Sequence, residues 1–243
     1  MNPSAEFIHT FGEMARLGES IKLYNSYRGI PIVYEARLLS VDSWYVTASV
    51  HEFQAVCLAL ENMTYIQNSL LPGLLRSRCI NVDVKTREAR LTEFTLGGAS
   101  VGKRKTVRVQ PREPTDVQLM DANGVRIAGI LADVSSDGVG VVTFATYTSG
   151  ELPFTRGMEI FAELILPESD QNFRFHGKIV SISSKGKFTN RLGLKLQPDP
   201  AAEPILRKYI AYRQEEILLE IKGVYESMCR EKKKTGPLGL RPD

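Results

Sequence analysis

Short β-prone runs, punctuated by turn signals, decide what this chain can fold into. They come in two blocks separated by a glycine-rich break. In the first block, Tyr34, Ala36 and Leu38 alternate with Glu35 and Arg37, as a half-buried strand requires. Runs at Ile21–Tyr24, Trp44–Val50, Met63–Leu70, Leu74–Lys85 and Glu88–Leu96 complete it, with Asp42-Ser43, Pro72-Gly73 and Thr86-Arg87 as turns. In the second block the runs are Val107–Gln110, Asp116–Met120, Val125–Ala132, Val139–Thr146, Met158–Leu166, Phe173–Ser183 and Arg191–Leu196. Asp121-Ala122-Asn123-Gly124 and Ser135-Ser136-Asp137-Gly138 are hairpin signals. So many short strands leave edges exposed unless each sheet closes on itself. The expectation is a mainly β chain of two small antiparallel β-barrels.

Helical spacing appears in three places. Phe7, Ile8, Phe11, Met14 and Leu17 fit one apolar face, interrupted by Gly12 and Gly18, and predict a short helix or an arm. Phe53, Val56, Cys57 and Leu60 predict a short helix within His51–Leu60. After Pro198 and Pro200 a long C-terminal α-helix is expected from about Ala202 to Lys233. On it Ile217, Ile221, Val224 and Met228 are spaced like a coiled-coil seam. That seam has two readings, packing on the barrel or self-association into a homodimer. The expected organisation is a first domain over 1–96, a linker over 97–103, a second domain over 104–200 and the helix over 201–234.

The 31 basic and 28 acidic residues leave a net charge of only +3, which speaks against a nonspecific nucleic-acid binder. Cys57, Cys79 and Cys229 are scattered and odd in number, as expected of reduced thiols in the cytoplasm. No apolar run reaches membrane-spanning length, so no membrane insertion is expected. His9, His51 and His176 stand in no metal-ligand spacing, and no nucleophile elbow occurs, so neither a metal site nor an enzyme is expected. Gly97 to Lys103 imitates the start of a phosphate-binding loop, but Arg104 stands where Ser or Thr must hold magnesium. Pro111 further blocks the helix that such a loop needs.

One constellation carries chemistry. Arg104 and Arg108 form an Arg-x-x-x-Arg pair, and one hairpin later Asp133, Ser135 and Gly138 form Asp-x-Ser-x-x-Gly. Together they resemble the ligand signature of the PilZ domain family, bacterial receptors for the second messenger cyclic di-GMP. The late run Arg191-Leu192-Gly193-Leu194 resembles that family's Gly-containing strand. The resemblance implies a six-stranded barrel for the second domain. A preceding barrel joined near Arg104 resembles in architecture the flagellar brake type, whose first domain is a split barrel. It also implies that Arg104 and Arg108, with Lys103 as an additional contact, meet the phosphates and guanines of cyclic di-GMP. Asp133 and Ser135 would read the guanine edge, and Gly138, free to take positive φ, would permit close approach.

The residue types suit that ligand. Arginine forks pair bidentately with phosphate or with guanine O6 and N7, and their planes stack on bases. A carboxylate accepts from guanine N1–H and N2–H, which selects a guanine nucleotide over bare phosphate. The implied output is a downstream protein, such as the flagellar motor or polysaccharide machinery. An alternative is a PilZ-fold adaptor that works by protein contact alone.

Overall fold

The computed structural model describes residues 3–97, 106–144, 152–167, 172–186, 189–197, 200 and 202–230. Its described residues divide into two units. One gathers those up to Asn25, from Ile32 to 97, and from Leu219 onward. The other gathers Ser26–Pro31 and those from 106 to Leu218.

The first unit is built around α1 (Pro3–Leu17), α2 (Glu52–Glu61) and the strands β1 (Ser20–Tyr27), β2 (Ile30–Val41), β3 (Val46–Ser49), β4 (Met63–Gln67), β5 (Leu75–Asp83) and β6 (Glu88–Leu96). The strands close into a barrel in the order β1-β2-β3-β6-β5-β4. The N-terminal pattern is a full helix. Phe7, Phe11 and Met14, at i, i+4 and i+7, join the barrel's core. The Phe11 ring lies 4.8 Å from that of Phe94 on β6. Gly12 faces open space, so it does not interrupt the packed stripe.

Helix α2 is fixed at both ends. His51 caps its start by accepting from Phe53 N–H, and Asn62 ends it in the left-handed conformation. The buried Gln54 side chain donates to the carbonyls of Leu23 and Tyr34, which ties the helix to β1 and β2.

Two strands are shorter than their apolar runs. Trp44 and Tyr45 fall outside β3 because Asp42 N–H donates to Tyr45 O, closing a turn around them. Met63–Leu70 ends as a strand at Gln67, where Asn68 Oδ1 accepts from Leu70 N–H.

The second unit holds β7 (Asp116–Asp121), β8 (Arg126–Ser135), β9 (Gly138–Phe144), β10 (Glu159–Ile165), β11 (Asn172–Gly186) and β12 (Thr189–Gln197). They close in the order β7-β8-β9-β12-β11-β10, with β10 returning to pair antiparallel with β7. Inward side chains alternate along each strand, including Val117, Leu119, Ile160, Ala162 and Leu164. Val107–Gln110 is not a strand of this ladder. Only Val109 pairs, in a single bridge with Val134 on β8. Gln110 N–H goes instead to Arg28 O, and Pro111 has no N–H to offer.

Helix α3 (Glu203–Arg230) buries Leu206, Tyr209, Ile210, Arg213, Ile217 and Ile221. Of the seam, Ile217 and Ile221 are fully buried within the chain, whereas Val224 and Met228 are half-buried. Among the described residues no helix is long and apolar enough to cross a membrane.

Phe11→Ala should cost about 3–5 kcal/mol, since it removes a fully buried ring from a packed core. Chemical denaturation measures this. A loss below about 1 kcal/mol would mean that α1 does not belong to the core.

Candidate ligand-binding site

The site is made by a fault in the alternation of β8. Ile127, Gly129 and Leu131 are buried in step, and continued alternation would turn Asp133 inward. A bulge between Leu131 and Asp133 shifts the parity. Leu131 pairs with the inward Val141, but Asp133 pairs with Gly140, and Val134 takes the inward place. Asp133 and Ser135 are thereby delivered to the other face.

Asp133 lies between two guanidinium groups. Arg108 Nη1 is 3.4 Å from Oδ1, and Arg191 of β12 donates to Oδ2. Asp133 is only 5% exposed, whereas about a third of each arginine side chain is open to solvent. The cations are accessible and the carboxylate is held beneath them. Gly140 makes the room. A Cβ there would lie 2.8 Å from Asp133 Oδ2 and 3.1 Å from Arg191 Nη2. Gly193 pairs with Gly140 across β9 and β12, which keeps that neighbouring position small as well.

The turn Ser136-Asp137 is braced from within. Ser135 is fully buried, and its hydroxyl lies 2.9 Å from both Asp137 Oδ1 and the Gly138 carbonyl. Thr106 donates to Asp137 Oδ1 at 2.7 Å, which pins the start of the segment carrying Arg108 to this turn. The Thr106 hydroxyl above all, then Ser135 and the nearby Arg108 charge, hold the Asp137 carboxyl below the usual carboxylate range.

Of the residues expected from sequence, the structure brings together Arg108, Asp133, Ser135 and Gly138. Arg104 and Lys103 lie outside the described residues, as does all but Gly97 of the expected linker. Gly138 is needed for a different reason from the one anticipated. It is not among the glycines of positive φ, and a Cβ on it would meet the Leu194 carbonyl oxygen at 2.6 Å. Its role is close strand packing of β9 against β12.

Sequence reasoning did not assign Arg191, Asp137, Thr106 or Gly140 to the site. Arg191 stands 58 residues from Asp133, so only the β9–β12 pairing joins them. The glycines at 138, 140 and 193 were the available signal, since glycine inside a strand marks a close approach. Among the described residues no group of His, Cys, Asp and Glu could hold a metal ion.

The result is a closed antiparallel barrel that presents two arginines around a held carboxylate on its outer face. The PilZ domain family model matches residues 102–212, the part of the chain that holds this barrel. No curated protein matches the sequence. Among solved structures, Escherichia coli YcgR in complex with c-di-GMP is similar at 16% identity, with 88% of this chain and 93% of that one covered and a TM-score of 0.44. The K. pneumonia MrkH–c-di-GMP complex is similar at 12% identity, covering 92% and 98%, with a TM-score of 0.43. The Bacillus subtilis inhibitor of motility MotI is similar at 16% identity, covering 82% and 97%, with a TM-score of 0.40.

Removing the Thr106 hydroxyl should release Asp137. In Thr106→Val the Asp137 pKa is expected to rise toward its ordinary value, observed by carboxyl-carbon NMR titration. Because the folded pKa is depressed, this carboxylate's contribution to stability is present above the ordinary carboxylate range. It is lost as pH falls through the depressed value. An unchanged titration would mean that the hydrogen bond is not formed in solution.

Proposed function

We propose that the chain is a cytoplasmic receptor for cyclic di-GMP whose occupied state signals to a downstream protein. The observation that carries this reading is the Asp133 carboxylate, re-aimed by the bulge and set between Arg108 and Arg191. Bare phosphate would need only the cations. The carboxylate adds the acceptor that guanine N1–H and N2–H require.

In this reading Arg108 and Arg191 supply forks for phosphate and planes for the bases, and Arg104 and Lys103 complete the cationic set. Asp133 accepts from the guanine edge once the ligand phosphates draw the guanidinium groups outward. Ser135 holds the turn in shape. Gly140 leaves the room in which Asp133 and Arg191 meet, and Gly138 lets β9 pack closely on β12. The cytoplasmic assignment is supported by three scattered cysteines without a disulfide pattern. Burial pushes the Cys57 and Cys79 thiols up to about 12 and about 11 and so keeps them unreactive.

The output follows from where the first arginine stands. Arg104 comes two residues after Gly102, in a stretch with further glycines at 97 and 98. A ligand bridging Arg104 and the Asp133–Gly138 turn draws this linker onto the barrel and changes the orientation of the two barrels. The downstream partner then reads that orientation. Small-angle scattering with and without ligand tests it, and superimposable curves from a saturated sample would refute it.

Calorimetry decides the ligand. Binding is expected at about 10 µM or tighter, and Arg108→Ala or Arg191→Ala should weaken it about tenfold or more, the worth of one charge-assisted contact. Asp133→Ala should erase any preference for cyclic di-GMP over cyclic di-AMP. A folded wild-type protein that binds neither nucleotide sinks the reading.

A further inference from the structure

Arg108 sits on a segment whose backbone, among the described residues, meets the barrel strands in a single β-bridge, Val109 to Val134, beside the side-chain bond from Thr106 to Asp137. A stretch with so little pairing frays unless its other backbone groups find partners. Gln110 finds one on each side. Its N–H donates to Arg28 O at 3.1 Å, and its carbonyl accepts from Arg213 Nε at 2.9 Å. The Arg28–Gly29 tip lies flat on the neighbouring peptide, since a Cβ on Gly29 would meet the Arg108 carbonyl oxygen at 2.5 Å.

Arg213 is 1% exposed, among the most buried large side chains of the molecule. Desolvating a guanidinium is costly, and an apolar side chain of similar volume would fill the space with less penalty. Its polar contacts show what is gained. Nη1 meets Glu216 Oε2 at 3.0 Å, one helical turn along α3, and Glu216 Oε1 lies 3.7 Å from Arg112 Nη1. The rigid guanidinium fork lets one nitrogen hold the Gln110 carbonyl while another holds Glu216. One turn of α3 thus holds the segment at Gln110, and Glu216 lies beside the exposed Arg112.

We infer that Arg213 is a positioning residue for the ligand site, fixing the Gln110 peptide so that the backbone of Arg108 is held beside Asp133. With the peptide fixed, Arg108 does not pay the entropy of ordering when a ligand arrives. The affinity part of this inference rests on the cyclic di-GMP reading, and the structural part does not.

The test is the full-length double variant Arg213→Met with Glu216→Met, which removes the buried charges together and keeps the volume. It should melt close to the wild-type temperature. In the ligand-free protein, hydrogen exchange at the Val109 and Gln110 amides should quicken selectively, and cyclic di-GMP affinity should fall about tenfold. Arg213→Lys, which keeps the charge but not the fork, should fall between the two. Ile160→Val, a mild core change in the barrel wall, should leave exchange at both amides unchanged. Wild-type exchange at Val109 and Gln110 in both Arg213 variants overturns the inference. So does a loss of affinity matched by Ile160→Val. If the wild type itself binds no cyclic di-GMP, the functional reading fails, and the exchange result alone decides this one.

Discussion

Closing a six-stranded sheet on itself fixes which side of every strand faces the core, and the site of this protein exists because β8 escapes that rule. Where β7 meets β10, Leu119 stands opposite Ala162, and the inward set follows from there around the barrel. Within that set Asp133 would be an uncompensated carboxylate in an apolar interior, at a cost of several kcal/mol or more. The bulge after Leu131 turns this carboxylate to the outer face, where Arg108 and Arg191 cover it, and keeps Val134 for the core. Everything else at the site fits itself around the result. Gly140 leaves space, Arg191 crosses from β12, and Arg108 arrives on a separate segment.

The electrostatics follow the same geometry. Asp133 is buried beneath two cations that remain open to solvent, so a visiting anion meets positive charge first and the acceptor second. Asp137 has a different task. Its carboxylate takes hydrogen bonds from Thr106 and Ser135 and so spends its acceptor capacity inside the protein. The two acidic residues of one motif thus have different surroundings: Asp133 sits between two guanidinium groups, and Asp137 braces the turn.

Much of this was legible in the sequence. Alternation and turn residues indicated both barrels, and the Asp-x-Ser-x-x-Gly spacing located the turn. What stayed hidden was what depends on distant pairing. Arg191 belongs to the site only through strand register, and nothing local to Arg191-Leu192-Gly193 states which strand lies beside it. Val107–Gln110 has the composition of a strand, but its backbone partners are Arg28 and Arg213, remote in the chain. The seam on α3 had the period of a coiled coil because an amphipathic helix packed on its own chain has nearly the same period. Gly138 was correctly marked as sterically special, but for freedom of rotation rather than for a neighbouring carbonyl.

The hairpin tip Ser26–Pro31 gives the second unit a discontinuous chain. Its peptide partner for Gln110 comes from about eighty residues upstream, and its helical brace at Arg213 falls just beyond the 102–212 span that the family model matches. A fragment trimmed to the family's boundaries therefore lacks two of the groups that close its own backbone, and would be an incomplete stand-in for the domain inside the whole chain. Modularity read from sequence and modularity of folding part company here. The span that the family model matches is shorter than the set of residues that closes the backbone of the Arg108 segment.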